Sequence, residues 1–223
     1  MTVTKTDSLY KKEYFGRLPE WKEYAPETFQ SFIKFDSQAL KAGRLSVKQK
    51  ELIAVAVAHI TGCPYCIDLH VGNAKKQESS KEEVAEAIFV ATALKAGSAA
   101  AHGVNALNAY DGNGDAELYK ASYFARLKEF AELNGDTFNA FVDFDHKSIQ
   151  AGKLSVKDKE LIAVASAHTT GCAYCIDLHT KNAKKAGADL EEISEAIFVA
   201  VALKAGSALA HSVNALNAYD DEN

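Results

Sequence analysis

The chain has only four cysteines in 223 residues, and none of them stands alone. Each belongs to a Cys-x-x-Cys pair, so no stray thiol complicates the pattern. No GxGxxG or GxxxxGK[ST] run occurs, which leaves no motif for a nucleotide, flavin or haem, and no cofactor is expected. No basic stripe occurs either. The lysines are scattered among acids, the formal net charge is −5 and the pI is near 5.8, so nucleic acid is not an expected partner. The opening stretch MTVTKTDSLYKKEYF has no apolar core of the kind a secretory signal needs. Apolar stretches such as LIAVAVAHITGC are short and interrupted, so no membrane span is expected. These absences predict a soluble, cytoplasmic protein. Thiols stay reduced there, and a Cys-x-x-Cys pair then reads as catalytic or metal-binding rather than as a structural staple.

What is present is a duplication. The sequence matches itself without a gap at a register of 109 residues, with about two thirds of aligned positions identical. YFGRLPEW at 14 returns as YFARLKEF at 123, and TGCPYCIDLH at 61 returns as TGCAYCIDLH at 170. Only two long units occur, so this is a tandem pair and not a solenoid. The turn-rich stretch AYDGNGDAE at 109–117 is the expected joint, which divides the chain into 1–110 and 111–223.

No run alternates apolar and polar residues as strands do, and the periodicity within each unit is helical. PETFQSFIKFDSQALKAG spaces Phe29, Phe32, Ile33 and Leu40 near helical repeats and predicts a stop at Gly43 as a C-cap. Ser46 with Gln49 three residues on is a capping box, opening a helix that ends at Thr61–Gly62. Pro64 suits the first turn of the next helix. A further, Ala-rich helix carries Gly97 as a kink or close-packing point. The fold class is all-α, built from two similar helical units.

Chemistry concentrates where the second helix ends and the third begins. With Cys63 as N-cap, Cys66 is the third helical residue, and the positive end of the helix favours a thiolate there. His70 lies four residues beyond Cys66 on the same face, the Cys–His logic of an activated nucleophile. Cys63 is near enough to close a disulfide with an oxidised Cys66. On the preceding helix Glu51 and His59 share a stripe, and a carboxylate within KELIAVAVAHI is costly to bury without a partner such as His70. The second unit supplies Glu160, His168, Cys172, Cys175 and His179 in the same places.

Plainer readings stand beside these. His59 and His168 fit helix-end carbonyl caps, His102 and His211 on small-residue helices fit either core-filling residues or residues that line the site, and Asp68 and Asp177 fit first-turn acids. Cys63, Cys66 and His70 with Glu51 or His59 also form a zinc-compatible donor set, though a cramped one. A third alternative is a chemically idle oligomeric scaffold.

The pattern Glu51, eleven residues, Cys63-x-x-Cys66, three residues, His70, repeated as Glu160, Cys172, Cys175 and His179, resembles the AhpD-like alkylhydroperoxidase branch of the carboxymuconolactone decarboxylase family. The flanking LSVKQKELIAVAVAH and AIFVATALKAG are similar to that family as well. The resemblance implies two tandem AhpD-like helical repeats forming a pseudo-dimer, and chains that associate into trimers or other rings. It implies that Cys66 and Cys175 attack peroxide, that Cys63 and Cys172 resolve, and that Glu51 with His70, and Glu160 with His179, relay protons. The implied partners are a hydroperoxide or disulfide substrate and an external dithiol reductant. One departure matters: Tyr65 and Tyr174 stand where the family's peroxidases carry a histidine, which leaves His59 and His168 as candidates for the missing imidazole. Decarboxylation is not expected, because the lactone-decarboxylating members typically lack the cysteine pair.

Overall fold

The computed structural model describes residues 8–112 and 116–221. Among them every regular element is helical. The first repeat holds α1 (Trp21–Tyr24), α2 (Pro26–Leu40), α3 (Val47–Thr61), α4 (Pro64–Lys76) and α5 (Lys81–Tyr110). The second holds α6 (Glu129–Leu133), α7 (Gly135–Ile149), α8 (Val156–Thr170), α9 (Ala173–Lys185) and α10 (Leu190–Tyr219). Short 3-10 segments, Lys12–Glu20 and Ala121–Lys128, precede α1 and α6.

The boundaries follow local chemistry. Ser46 and Gln49 exchange hydrogen bonds in the expected capping box at the start of α3, and Gly62 ends it at φ 70°, a left-handed cap that glycine adopts without strain. Gly171 does the same for α8 at φ 73°. α2 departs from expectation. It ends at Leu40, and the chain is already extended at Lys41, so Gly43 caps nothing. Gly43 instead lies under a carboxylate of the other repeat: a Cβ there would fall 2.8 Å from Cδ of Glu195. Gly97 produces no kink, since α5 runs unbroken past it; a Cβ there would reach Asp145 and Phe141 of α7 at ordinary contact distances.

α3 and α8 form the centre. Every residue from Lys50 to Ala58, and from Lys159 to Ala167, is buried, as expected of helices covered on all sides. The long helices α5 and α10 each pack against both of them. Both reach the length and apolarity of a membrane span, with best-window mean hydropathies of 1.4 and 1.6. Candidate spans by composition are therefore present, contrary to the sequence expectation. In this fold they are core helices, burying Val90, Leu94, Ala101 and Val104 on α5 and their counterparts on α10.

The repeats interlock. The first 3-10 segment and α2 pack on α10, while the second 3-10 segment and α7 pack on α5. Arg17 donates to Asn217 Oδ1 at 2.7 Å and pairs with Asp220, and Arg126 makes the matching bonds to Asn108 and Asp111. Glu195 accepts the amides of Arg44 and Leu45 at 2.7 and 3.0 Å and pairs with the buried ammonium of Lys50 at 3.0 Å. Glu86 repeats this with the amides of Lys153 and Leu154 and with Lys159. Each repeat thus holds the other by a carboxylate staple.

Candidate active site

The left-handed turn at Gly62 reverses the chain into α4, with Cys63 as its N-cap at φ −87°, ψ 106°. In this geometry Cys63 Sγ accepts the backbone N–H of Cys66 at 3.3 Å. The sulfur that receives a helix-start amide is therefore that of Cys63, where the sequence placed the helix-end field at Cys66. The Cys66 thiol, donating to Cys63, is the chief cause that lowers the Cys63 pKa to about 6; burial opposes it, and the Cys66 amide, His211 and Ser207 assist. Cys66 moves upward, because the bond to Cys63 holds its proton and burial disfavours its charge. The hydrogen bond between the two sulfurs thus favours charge at Cys63 and the proton at Cys66. Cys63 is 0% exposed and Cys66 6%, so Cys66 is the sulfur nearer to solvent.

In the second repeat Cys172 Sγ accepts the Cys175 amide at 3.2 Å, and the two sulfurs are joined in a disulfide. Their Cα atoms are 5.3 Å apart, within the span a disulfide bridges without backbone movement. Cys63 and Cys66 are free thiols in the same turn.

His70 follows Cys66 by one turn of α4, and its Nδ1 donates to Glu51 Oε2 at 2.8 Å. Both side chains are buried, and Asn73 Nδ2 donates to the other carboxylate oxygen at 3.3 Å. With its proton on Nδ1, the neutral ring leaves Nε2 as the acceptor. His179 and Glu160 repeat the bond at 2.8 Å. The structure thus brings together Cys63, Cys66, His70 and Glu51, and again Cys172, Cys175, His179 and Glu160.

It does not bring His59 and His168 to them. His59 Nδ1 donates to the Val55 carbonyl at 2.7 Å and the ring lines a separate hollow with Thr92 and Lys95. His168 does the same with Val164 at 2.8 Å. Tyr65, at the place of the family histidine, is buried with its ring 5.5 Å from Phe15 and its hydroxyl 3.4 Å from Asn214 Oδ1. Among the described residues no cluster of three or more His, Cys, Asp or Glu side chains has a metal-holding arrangement.

Ser207 and Asp36 escaped the sequence reading, whereas His211 stands there as either core-filling or site-lining. Ser207 and His211 on α10 act on the first thiolate, so the second repeat roofs the first site. His211 also meets the Tyr10 ring edge-on at 6.0 Å, as His102 meets Tyr119 at 6.2 Å. Asp36 on α2 is raised by burial, and it interacts electrostatically with His70, Glu51 and Cys66. Asp145 stands in the same relation to His179 and Glu160. A signal for it existed: Asp36 is the one charged residue that α2 and α7 hold identically.

The family model for the carboxymuconolactone decarboxylase family matches twice, over residues 26–109 and 135–218. The chain belongs to this family. Uncharacterized protein 4 of the cox locus of Paracoccus denitrificans is 40% identical to it over 107 residues, covering 48% of this chain and 95% of that protein. An uncharacterized protein of Cupriavidus necator is 32% identical over 110 residues, covering 49% of this chain and 95% of its own length. Each of these relatives therefore corresponds to one repeat. A crystal structure of a candidate gamma-carboxymuconolactone decarboxylase subunit from Burkholderia xenovorans LB400 superposes with a TM-score of 0.68 at 21% identity, covering 93% of this chain and 95% of that one. At that identity the likeness concerns the fold.

Proposed function

We propose that this member of the family is a cytoplasmic thiol-dependent peroxidase whose two Cys-x-x-Cys pairs reduce hydroperoxides and are restored by an external dithiol. The observation that carries the reading is the buried Glu51–His70 bond on the same helical face as Cys66, with the Cys63 sulfur beside it accepting the Cys66 amide. His70, oriented by Glu51, takes the proton of Cys66 at Nε2. The Cys66 thiolate attacks the nearer peroxide oxygen, a sulfur–oxygen bond forms, and the O–O bond breaks. The departing alkoxide collects the proton from His70 and leaves as alcohol, with Cys66 now a sulfenic acid. The Cys63 thiolate attacks that sulfur, the S–O bond breaks, and the departing hydroxide takes from solvent the proton that Cys63 had lost to it and leaves as water, so a disulfide closes. An external dithiol reduces the disulfide by exchange and is itself oxidised to a disulfide. The sum is one hydroperoxide and one dithiol giving alcohol, water and one disulfide.

The test is a thiol count on fully reduced, metal-analysed protein treated with one equivalent of peroxide per site. Loss of four thiols to two intramolecular disulfides, and loss of turnover in the double variant Cys66→Ser, Cys175→Ser, is the expected result. Retained peroxidase turnover in that variant, or thiols inert to peroxide, overturns the assignment.

A further inference from the structure

A cavity of about 510 Å³ opens beside the first dithiol. Its walls are Pro64 and Tyr65, which stand between the two cysteines, with Leu69 and Gly72 from α4 and Tyr10 and Phe15 from the N-terminal segment. Asn73 also lines it and hydrogen-bonds Glu51, so one residue of its wall touches the proton-handling pair.

At the register of 109 residues the aromatic walls recur in the second repeat as Tyr119, Phe124 and Tyr174, with Leu178 beside them. Three positions differ. Gly72 becomes Lys181, Lys12 becomes Ala121, and Pro64 becomes the smaller Ala173. A Cβ at Gly72 meets nothing within 4 Å, so the space over this part of α4 is open. On α9 a four-carbon stem rises from the matching position, and its ammonium lies 2.7 Å from Asp177. In the first repeat Asp68 receives its ammonium, also at 2.7 Å, from Lys12 on the N-terminal segment. Each mouth therefore carries three lysines and one aspartate: Lys11, Lys12, Lys76 and Asp68, or Lys120, Lys181, Lys185 and Asp177. Charge is the same at both; what differs is the side chain that stands at the place of Gly72.

We infer that the two sites divide their substrates by size. The first accepts hydroperoxides with a bulky aromatic or branched apolar body, seated against Tyr10, Phe15, Tyr65 and Leu69. Lys181 restricts the second to hydrogen peroxide and small alkyl hydroperoxides. This rests on the thiol-peroxidase reading and adds a division of labour within one chain.

The test uses the full chain with one dithiol disabled at a time, by Cys172→Ser with Cys175→Ser or by Cys63→Ser with Cys66→Ser. Thiol oxidation is followed in single turnovers, with no reductant, using cumene hydroperoxide and hydrogen peroxide. The ratio of the two rate constants should be about tenfold higher at the first site, the scale on which a filled apolar pocket discriminates. Gly72→Lys should bring the first site's ratio down to that of the second, and Lys181→Gly should raise the second's. An equal ratio in both backgrounds with brisk reaction, or a ratio unmoved by either exchange, overturns the division alone. No reaction with either peroxide in either background overturns the peroxidase reading and the division with it.

Discussion

Replacing Glu195 by alanine should cost this protein more than any ordinary surface substitution. The carboxylate accepts the amides of Arg44 and Leu45 and pairs with Lys50, whose ammonium is buried and otherwise bonded to the Lys41 carbonyl at 2.6 Å. Charge-assisted bonds of this kind contribute about 1.5–3 kcal/mol, and a stranded buried charge costs about 3–5 kcal/mol. Because the Glu195 side chain is itself 25% exposed, water recovers part of the loss, and about 3 kcal/mol is the net expectation. At roughly 2–4 °C per kcal/mol for a chain of this size, Tm should fall by about 6–12 °C in a circular dichroism melt. Much of this loss comes from Lys50 left alone, so adding Lys50→Met to Glu195→Ala should recover about 1–2 kcal/mol. A single variant that melts within about 2 °C of the parent, or a double variant no more stable than the single one, would refute the reasoning. The staple should also weaken in acid. Burial pushes the Glu195 carboxyl up, but the Leu45 and Arg44 amides and Lys50 outweigh it and hold the group below its usual value. Its contribution is complete above the unfolded value of about 4.5 and is lost as pH falls through the depressed folded value.

Alkylation of the reduced first site by iodoacetamide, in a chain with the second pair replaced by serine, should follow a midpoint near pH 6 rather than near the unperturbed 9.0. Cys66→Ala removes the principal donor to the thiolate and should raise that midpoint by roughly one unit, with His211→Ala raising it less; a midpoint still near 6 without Cys66 counts against the hydrogen bond between the sulfurs as its cause. Asp36→Asn should stabilise the protein at pH 7 by roughly 1 kcal/mol or less, because burial raises the folded carboxyl above its unfolded 3.8 and charge there is a cost. The gain should vanish as pH falls through the folded value toward 3.8 and Asp36 takes up its own proton, and a gain independent of pH in melts across this range contradicts the assignment. Gly43→Ala should destabilise by about 1–3 kcal/mol, since Glu195 must retreat, while Gly72→Ala, in open space on a helix, should stabilise by about 0.5–1 kcal/mol; equal effects in chemical denaturation would remove the argument from close approach.

Local rules predicted local structure well. Ser46 with Gln49, Gly62 and Pro64 each mark a helix boundary through bonds made within a few residues, and the boundaries fall where those bonds put them. The i+4 spacing of Cys66 and His70 needs only a helix, and the costly burial of Glu51 is met by His70 as its position suggested. What the sequence concealed depends on the other repeat. Near-identical units give no clue whether α2 covers its own α5 or its neighbour's α10, so the reason for Gly43 and the role of Ser207 were out of reach, and His211 read equally as core-filling or site-lining. The 3-10 segment at Lys12–Glu20 was hidden for a related reason: Pro19 argues against a helix, and its anchors Asn217 and Asp220 lie about two hundred residues away. The cysteine roles turned on an atom rather than a residue, since N-cap geometry gives the helix amide to the sulfur of the cap itself.

The interlock gives the duplication a consequence that a pair of separate identical chains does not share. In a homodimer every substitution appears twice, and the two clefts stay copies of each other. Here one polypeptide always presents α10 to the first cleft and α5 to the second, so unlike halves meet in a fixed pairing and like halves never compete for the same seat. Matching positions such as Gly72 and Lys181 are then free to drift apart while the staples that join the halves remain the same. Covalent linkage turns a symmetric architecture into one that can hold two different clefts in a constant one-to-one ratio.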